Sequence, residues 1–180
     1  MTCGLAFHRA AMAIGAPILL SATLLVAPLP ARATDGAAEP VAIAVLDFDY
    51  IDTSGEVRDQ RQEHAARLQR FANALRNDLA QTGKFRIVSP QCGAAPCAAD
   101  SLEPAELAAR ARAAGARLML LGGIHKQSTL IQWAKVQAVD IEADRVVLDK
   151  LVTFRGDTDE AWERAEAFVV REVTGIASAR

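Results

Sequence analysis

The sequence predicts a three-layer α/β domain: a mixed five-stranded sheet with helices packed on it, in the order β-α-β-α-β-β-β-α over residues 41–177. Three observations lead there. Short apolar runs bounded by turn residues read as strands. Stretches with apolar residues three and four positions apart lie between them and read as helices. Two further strand-like runs joined by Glu142-Ala143-Asp144 close the pattern as an antiparallel hairpin.

Val41-Ala42-Ile43-Ala44-Val45-Leu46 is a continuous apolar run that reads as a buried strand, ending in Asp47-Phe48-Asp49-Tyr50. Asp52-Thr53-Ser54-Gly55 is a turn signal. Thr53 and Glu56 have the spacing of a capping box, which allows a helix to start there. Leu68, Phe71, Leu75 and Leu79 mark that helix, and Gly83 closes it. The stretch from Arg58 to His64 is polar on every side, so it is either solvated or covers something. Phe85-Arg86-Ile87-Val88 is the second strand. Asp100 or Ser101 is placed to cap a helix over residues 103–114, ended by Gly115. Leu118 to Ile124 is the most apolar segment of the remaining chain and reads as the central strand; the Gly122-Gly123 pair inside it marks a bulge or a close backbone approach. Leu130 to Ile141 and Val146 to Phe154 form the hairpin. Asp157 and Glu160 cap a last helix whose Trp162, Ala165, Val169 and Val173 share one face.

Composition narrows the function. Of 180 residues, 51% are hydrophobic and the formal charge is -2, which excludes a disordered chain and a strongly basic nucleic-acid binder. Residues 1–33 form a separate unit. They carry no acid, their only strong bases are Arg9 and Arg32, and residues 10–27 are almost wholly apolar. With the ending Ala31-Arg32-Ala33 this is the pattern of a secretory signal peptide cleaved after Ala33, followed by a linker over 34–40. The competing reading, an uncleaved anchor, has to accommodate Pro17 within a barely sufficient apolar stretch. Cys3 precedes the apolar region and so does not serve as a lipobox cysteine. Arginine-over-lysine and alanine-rich usage suggests a GC-rich bacterium, so export places the protein in the periplasm with no membrane span after cleavage.

Export leaves two cysteines, Cys92 and Cys97, and an oxidising compartment makes them a disulfide candidate. The loop is short, so its entropic contribution is small, about 2 kcal/mol. The spacing is wrong for a redox Cys-x-x-Cys, and no further ligands lie near enough to make a zinc site.

Strand direction predicts where chemistry collects. Right-handed crossovers make the first three strands parallel, and the hairpin brings the fifth back into the same direction. Their carboxyl ends then share one edge, where α/β sheets bind ligands. That edge gathers Asp47, Asp49, Tyr50, Asp52, His125, Lys126, Arg155 and Asp157, with Gln132 and Trp133 entering the fourth strand. The expectation is a single polar rim in which Asp49, His125, Trp133, Arg155 and Asp157 lie together. The alternative is that these charges only pair with one another. Asp47-Phe48-Asp49 after an apolar strand also has the look of a haloacid-dehalogenase-type magnesium-dependent phosphatase, with Asp157-Thr158-Asp159 as a late acidic motif. Against it, Tyr50 and Ile51 stand where that family has Gly and then Thr or Val. No calcium loop, Walker loop, Gly-x-Ser-x-Gly or dinucleotide fingerprint is present, so no catalytic residues, metal or cofactor are assigned.

Residues 41–48 resemble the opening strand of the TolB amino-terminal domain and of CsgG-like and LpoB-like proteins, and Gly115-Ala116-Arg117 through Gly123 resembles the segment after their second helix. The residues Leu46 to Tyr50, Gln132 to Val136 and Phe154 to Trp162 are similar to an exported bacterial family of unknown function. The resemblance implies a periplasmic binding or accessory module without catalytic activity, whose partner is another envelope protein and not a nucleic acid. A phosphatase or other hydrolase is the alternative.

Overall fold

The computed structural model describes residues 39–178; the predicted signal peptide, its cleavage site at Ala33 and all but the end of the linker lie outside them. In chain order the elements are β1 (Val41–Val45), β2 (Asp49–Asp52), α1 (Arg61–Gln81), β3 (Phe85–Val88), α2 (Pro104–Ala113), β4 (Leu118–Lys126), β5 (Ile131–Asp140), β6 (Arg145–Arg155) and α3 (Asp159–Ser178). The sheet runs β3-β1-β4-β5-β6, and β2 pairs with β4 beyond the end of β1. β1, β2, β3 and β4 are mutually parallel where they pair, while β5 and β6 form the antiparallel hairpin. The mixed sheet and its strand directions agree with the sequence reading.

One helical layer holds α1 and α3, which bury Phe71, Leu75, Leu79, Trp162, Ala165, Val169 and Val173 against Ile43, Leu118, Leu120, Ile124 and Val136. Leu75, Leu79 and Leu120 are fully enclosed, and each such leucine contributes about 1.5–3 kcal/mol of transfer free energy. On the other face α2 sets Leu107 and Ala111 against Ala44, Leu46 and Met119. A ten-residue helix covers only the β1–β4 side, so the outer face of the hairpin remains exposed. Among the described residues no helix is long and apolar enough to cross a membrane.

Four boundaries differ from expectation, three of them because a side chain has a stronger tertiary partner. The first strand stops at Val45, breaks over 46–48 and resumes as β2. α1 starts at Arg61 and not near Thr53, because the Thr53 hydroxyl bonds His125 (2.7 Å) and the Glu56 carboxylate takes Lys126 (2.6 Å). α2 follows Glu103 with Pro104 in its first turn, while the Ser101 hydroxyl is spent on Asp100. Thr158 caps α3, its hydroxyl accepting from the Ala161 amide (3.3 Å), because the Asp157 carboxylate is engaged elsewhere. Gly83 and Gly115, at φ of 68° and 79°, end α1 and α2 in the left-handed conformation that favours glycine.

The break in the first strand explains the paired glycines. Leu46 still donates to the Leu120 carbonyl (2.9 Å), and then Phe48 turns its ring into the core against Phe71 (5.3 Å). A Cβ on Gly122 would collide with the Lys135 carbonyl oxygen and lie 2.9 Å from Phe48. Gly122 thus makes room for both the neighbouring strand and the aromatic ring. Asp47, in the break, receives Arg76 of α1 (2.9 Å) and the amide of Cys97 (3.2 Å), which fastens the disulfide loop to the strand end. Cys92 and Cys97 are joined by a disulfide.

Gly122→Ala is expected to destabilise the domain by about 1–3 kcal/mol, as overpacking against backbone does. Gly123→Ala, whose Cβ would meet Asp49 at 3.3 Å, is expected to cost less. Urea denaturation of the two variants beside the parent measures both. Mass spectrometry of the protein, alkylated without reductant, is expected to find neither Cys92 nor Cys97 labelled.

Candidate functional site

Side chains alternate across a strand, so the register of the sheet sorts the predicted rim onto two faces. One transverse row reads Asp52, Lys126, Gln132 and Phe154 and faces α1 and α3. The next reads Ile51, His125, Trp133 and Thr153 and faces away. Asp49 lies in an outward row with Gly123 and Lys135, and Arg155 pairs with Ile131 on that same outward side. The expected single patch is therefore two. Asp157 belongs to the inner one; Asp49, His125, Trp133 and Arg155 belong to the outer one. The strand-direction argument places these residues at one edge, but edge position does not settle which face each side chain takes.

The inner group is a closed ion network. The Lys126 ammonium is fully buried and uses its three donors on Glu56 (2.6 Å), Gln60 (2.5 Å) and Asp157 (2.8 Å). Asp157 is saturated in the same way. Its Oδ2 accepts from Lys126 and His64 Nε2 (2.7 Å), and its Oδ1 accepts from Arg67 (2.9 Å) and the Gln132 amide (3.2 Å). Because a carboxylate only accepts, Nε2 of His64 carries the proton. Gln132 also donates to the Gly156 carbonyl (3.0 Å), which fixes the turn that presents Asp157. The Tyr50 ring lies over His64 at 4.8 Å and shields the cluster. Burial alone would raise the Asp157 pKa, but the hydrogen bonds from Lys126 and His64 outweigh it and hold the carboxyl at about 2. Burial likewise pulls Lys126 down, and Asp157 and Glu56 more than reverse it.

Four members of this network, Glu56, Gln60, His64 and Arg67, are absent from the predicted rim. Their signal is present in the sequence. Positions 60, 64, 67 and 71 continue the three-and-four spacing of Leu75 and Leu79, so the stripe that packs on the sheet is polar at its first two turns and apolar beyond. The polar stretch from Arg58 to His64 covers something after all: its Gln60 and His64 enclose a buried lysine.

The outer group is more open. His125 and Trp133 meet edge to face at 5.7 Å, and Thr53 holds His125 Nε2. Ile51 and Leu151 stand 56% and 59% exposed on the same face, among Lys135, Asp149 and Arg155. Asp49 turns its carboxyl towards Asp100; burial and that neighbouring acid push it up to about 6. Asp47 is tied to Arg76 and the Cys97 amide, and Asp157 is enclosed under α1, so the carboxylates of the phosphatase-like motif have separate partners. Among the described residues no three or more His, Cys, Asp or Glu side chains are grouped to hold a metal ion.

These features define an α/β domain with its strongest polar chemistry turned inward. The chain belongs to the family DUF3280, whose description is "Protein of unknown function (DUF2380)", matched over residues 41–173. Among solved structures, the hypothetical protein CT253 from Chlamydia trachomatis is similar with a TM-score of 0.57 at 16% identity, over 78% of this chain and 99% of that one. The LpoB C-terminal domain from Salmonella enterica is similar with a TM-score of 0.45 at 20% identity, over 66% and 85%. TolB from Acinetobacter baumannii is similar with a TM-score of 0.46 at 18% identity, over 77% and 29%. The likeness is one of fold. No curated protein matches the chain.

Lys126→Met removes one partner of a buried pair and strands the carboxylates of Asp157 and Glu56. The expected loss is about 3–5 kcal/mol, read by chemical denaturation. Asp157 has a folded pKa below its unfolded one. Its contribution is therefore complete above about pH 4 and lost as pH falls towards about 2. Asp157→Asn is expected to be less stable at neutral pH and to show a flatter stability profile than the parent between pH 4 and 2.

Proposed function

We propose that this protein is an exported periplasmic module that binds another envelope protein and acts as an accessory without catalysis. The carrying observation is the saturation of the Lys126–Asp157 cluster at the strand ends. Every donor of Lys126 and both oxygens of Asp157 are committed to neighbours that hold the fold together. A general acid, base or nucleophile needs a free position for substrate, and these groups offer none. The signal-peptide pattern of residues 1–33 supports the periplasmic location, and the Cys92–Cys97 disulfide suits an oxidising compartment.

The working surface in this reading is the outer half of the predicted rim: Trp133, His125 and Arg155, with Ile51 and Leu151 beside them. Aromatic and arginine side chains set among isolated apolar residues are the composition that protein partners select. Trp133→Ala and Arg155→Ala are expected to weaken capture of an envelope partner from periplasmic extract, while stability stays within about 1 kcal/mol of the parent. Capture unchanged in both variants would overturn the surface assignment. Magnesium-dependent turnover of phosphate esters, lost in Asp47→Asn, would replace the accessory reading with the phosphatase one.

A further inference from the structure

Beside the ion network, between α1 and α3, lies a cavity of about 240 Å³ lined by Arg67, Arg70, Phe71, Ala74, Trp162 and Glu166. It is just below the usual range of small-molecule sites, roughly 300–1,000 Å³. Trp162 and Glu166 are four residues apart on α3 and so share a face. They are only 3% and 5% exposed, yet Trp162 Nε1 and Glu166 Oε1 have no hydrogen-bond partner among the described residues. A buried donor and a buried acceptor left without partners are costly unless something enters to meet them.

The charges say what that something is. Both guanidiniums of the cavity are already held by Asp159, Arg67 at 2.8 Å and Arg70 at 2.9 Å. Glu163 and Glu166 bring the acids of the lining to three against two guanidiniums, an excess of acidic groups. Burial, and to a lesser degree the charge of Asp78 across on α1, push Glu166 up to about 7, the behaviour of an acid that lacks its cation. The indole N–H asks instead for an oxygen acceptor. The rings of Phe71 and Trp162, edge to face at 6.1 Å, supply apolar walls. Ala74 leaves the space open, where a larger side chain on α1 would fill it.

We propose that this cavity binds a small primary amine that also carries an oxygen acceptor, of the class of free amino acids and amino alcohols. The ammonium donates to Glu166, and the oxygen accepts from Trp162 Nε1. The site is on the helical side of the sheet, opposite the proposed partner surface, and does not depend on it.

The chain has two tryptophans, so Trp133→Phe leaves Trp162 as the sole reporter at the site. In that full-length background, Trp162 fluorescence is titrated with L-alanine and ethanolamine, and with ethylamine and ethylene glycol, which lack the oxygen or the ammonium. The expected result is a saturable change with L-alanine or ethanolamine, at least about tenfold weaker with both controls. A preference for one of the first two separates the amino acid from the amino alcohol. Glu166→Gln is expected to weaken binding by about tenfold or more with an unchanged circular dichroism spectrum, and Ala74→Leu to abolish it by filling the space. Should Glu166→Gln fail to fold, Ala74→Leu carries the test. No saturable change below about 50 mM, equal binding of ethylene glycol, or a titration untouched by Ala74→Leu would overturn the proposal.

Discussion

The structure turns on one buried ammonium. Taking Lys126 out of water costs several kcal/mol unless it is met on all sides, and the chain meets it with groups from three separate places. Glu56 comes from the loop after β2, Gln60 from the start of α1, and Asp157 from the turn before α3, with Gln132 at the head of β5 holding Asp157 in turn. None of these segments can shift without stranding a charge. Hydrophobic residues filling the place of the whole cluster would serve stability about as well, whereas loss of the lysine alone leaves its partners uncompensated. What the pair adds is specificity: α1 has to start where it does, and β4, β5 and β6 have to end in register.

The second constraint is the broken first strand. Phe48 leaves the strand to reach Phe71, Gly122 gives it room, and Asp47 uses the freed position to anchor α1 and the disulfide loop. The chain after the break pairs again with the far half of β4 as β2. Tyr50 can then lie over His64 and close the ion network, while Asp49 and Ile51 point outward. The sheet itself separates a deep core under α1 and α3 from a shallower one under α2. The brevity of α2 is why the outer face of the hairpin stays exposed.

Much of the fold was legible in the residues. Apolar runs of strand length, three-and-four spacings and turn-forming glycines place the elements to within a few residues, and the right-handed crossover rule supplies the strand directions. The site was half legible. Lys126, Gln132, Asp52 and Asp157 are found by asking which residues end strands at one edge. Glu56, Gln60, His64 and Arg67 are not, because they come from a loop and a helix, whose place over the sheet is a matter of packing.

The sequence by itself determined the α/β class, the order of the elements, the cysteine pair and the edge where polar residues gather. These follow from local periodicity, and periodicity is written in neighbouring residues. Only the tertiary structure decided that this edge has two faces with opposite fates. A shift of one position along a strand reverses a side chain, so whether His125 or Lys126 points inward depends on the register with β2 and β5. That register is set by a broken strand, a glycine and a buried charge, contacts between residues far apart in the chain.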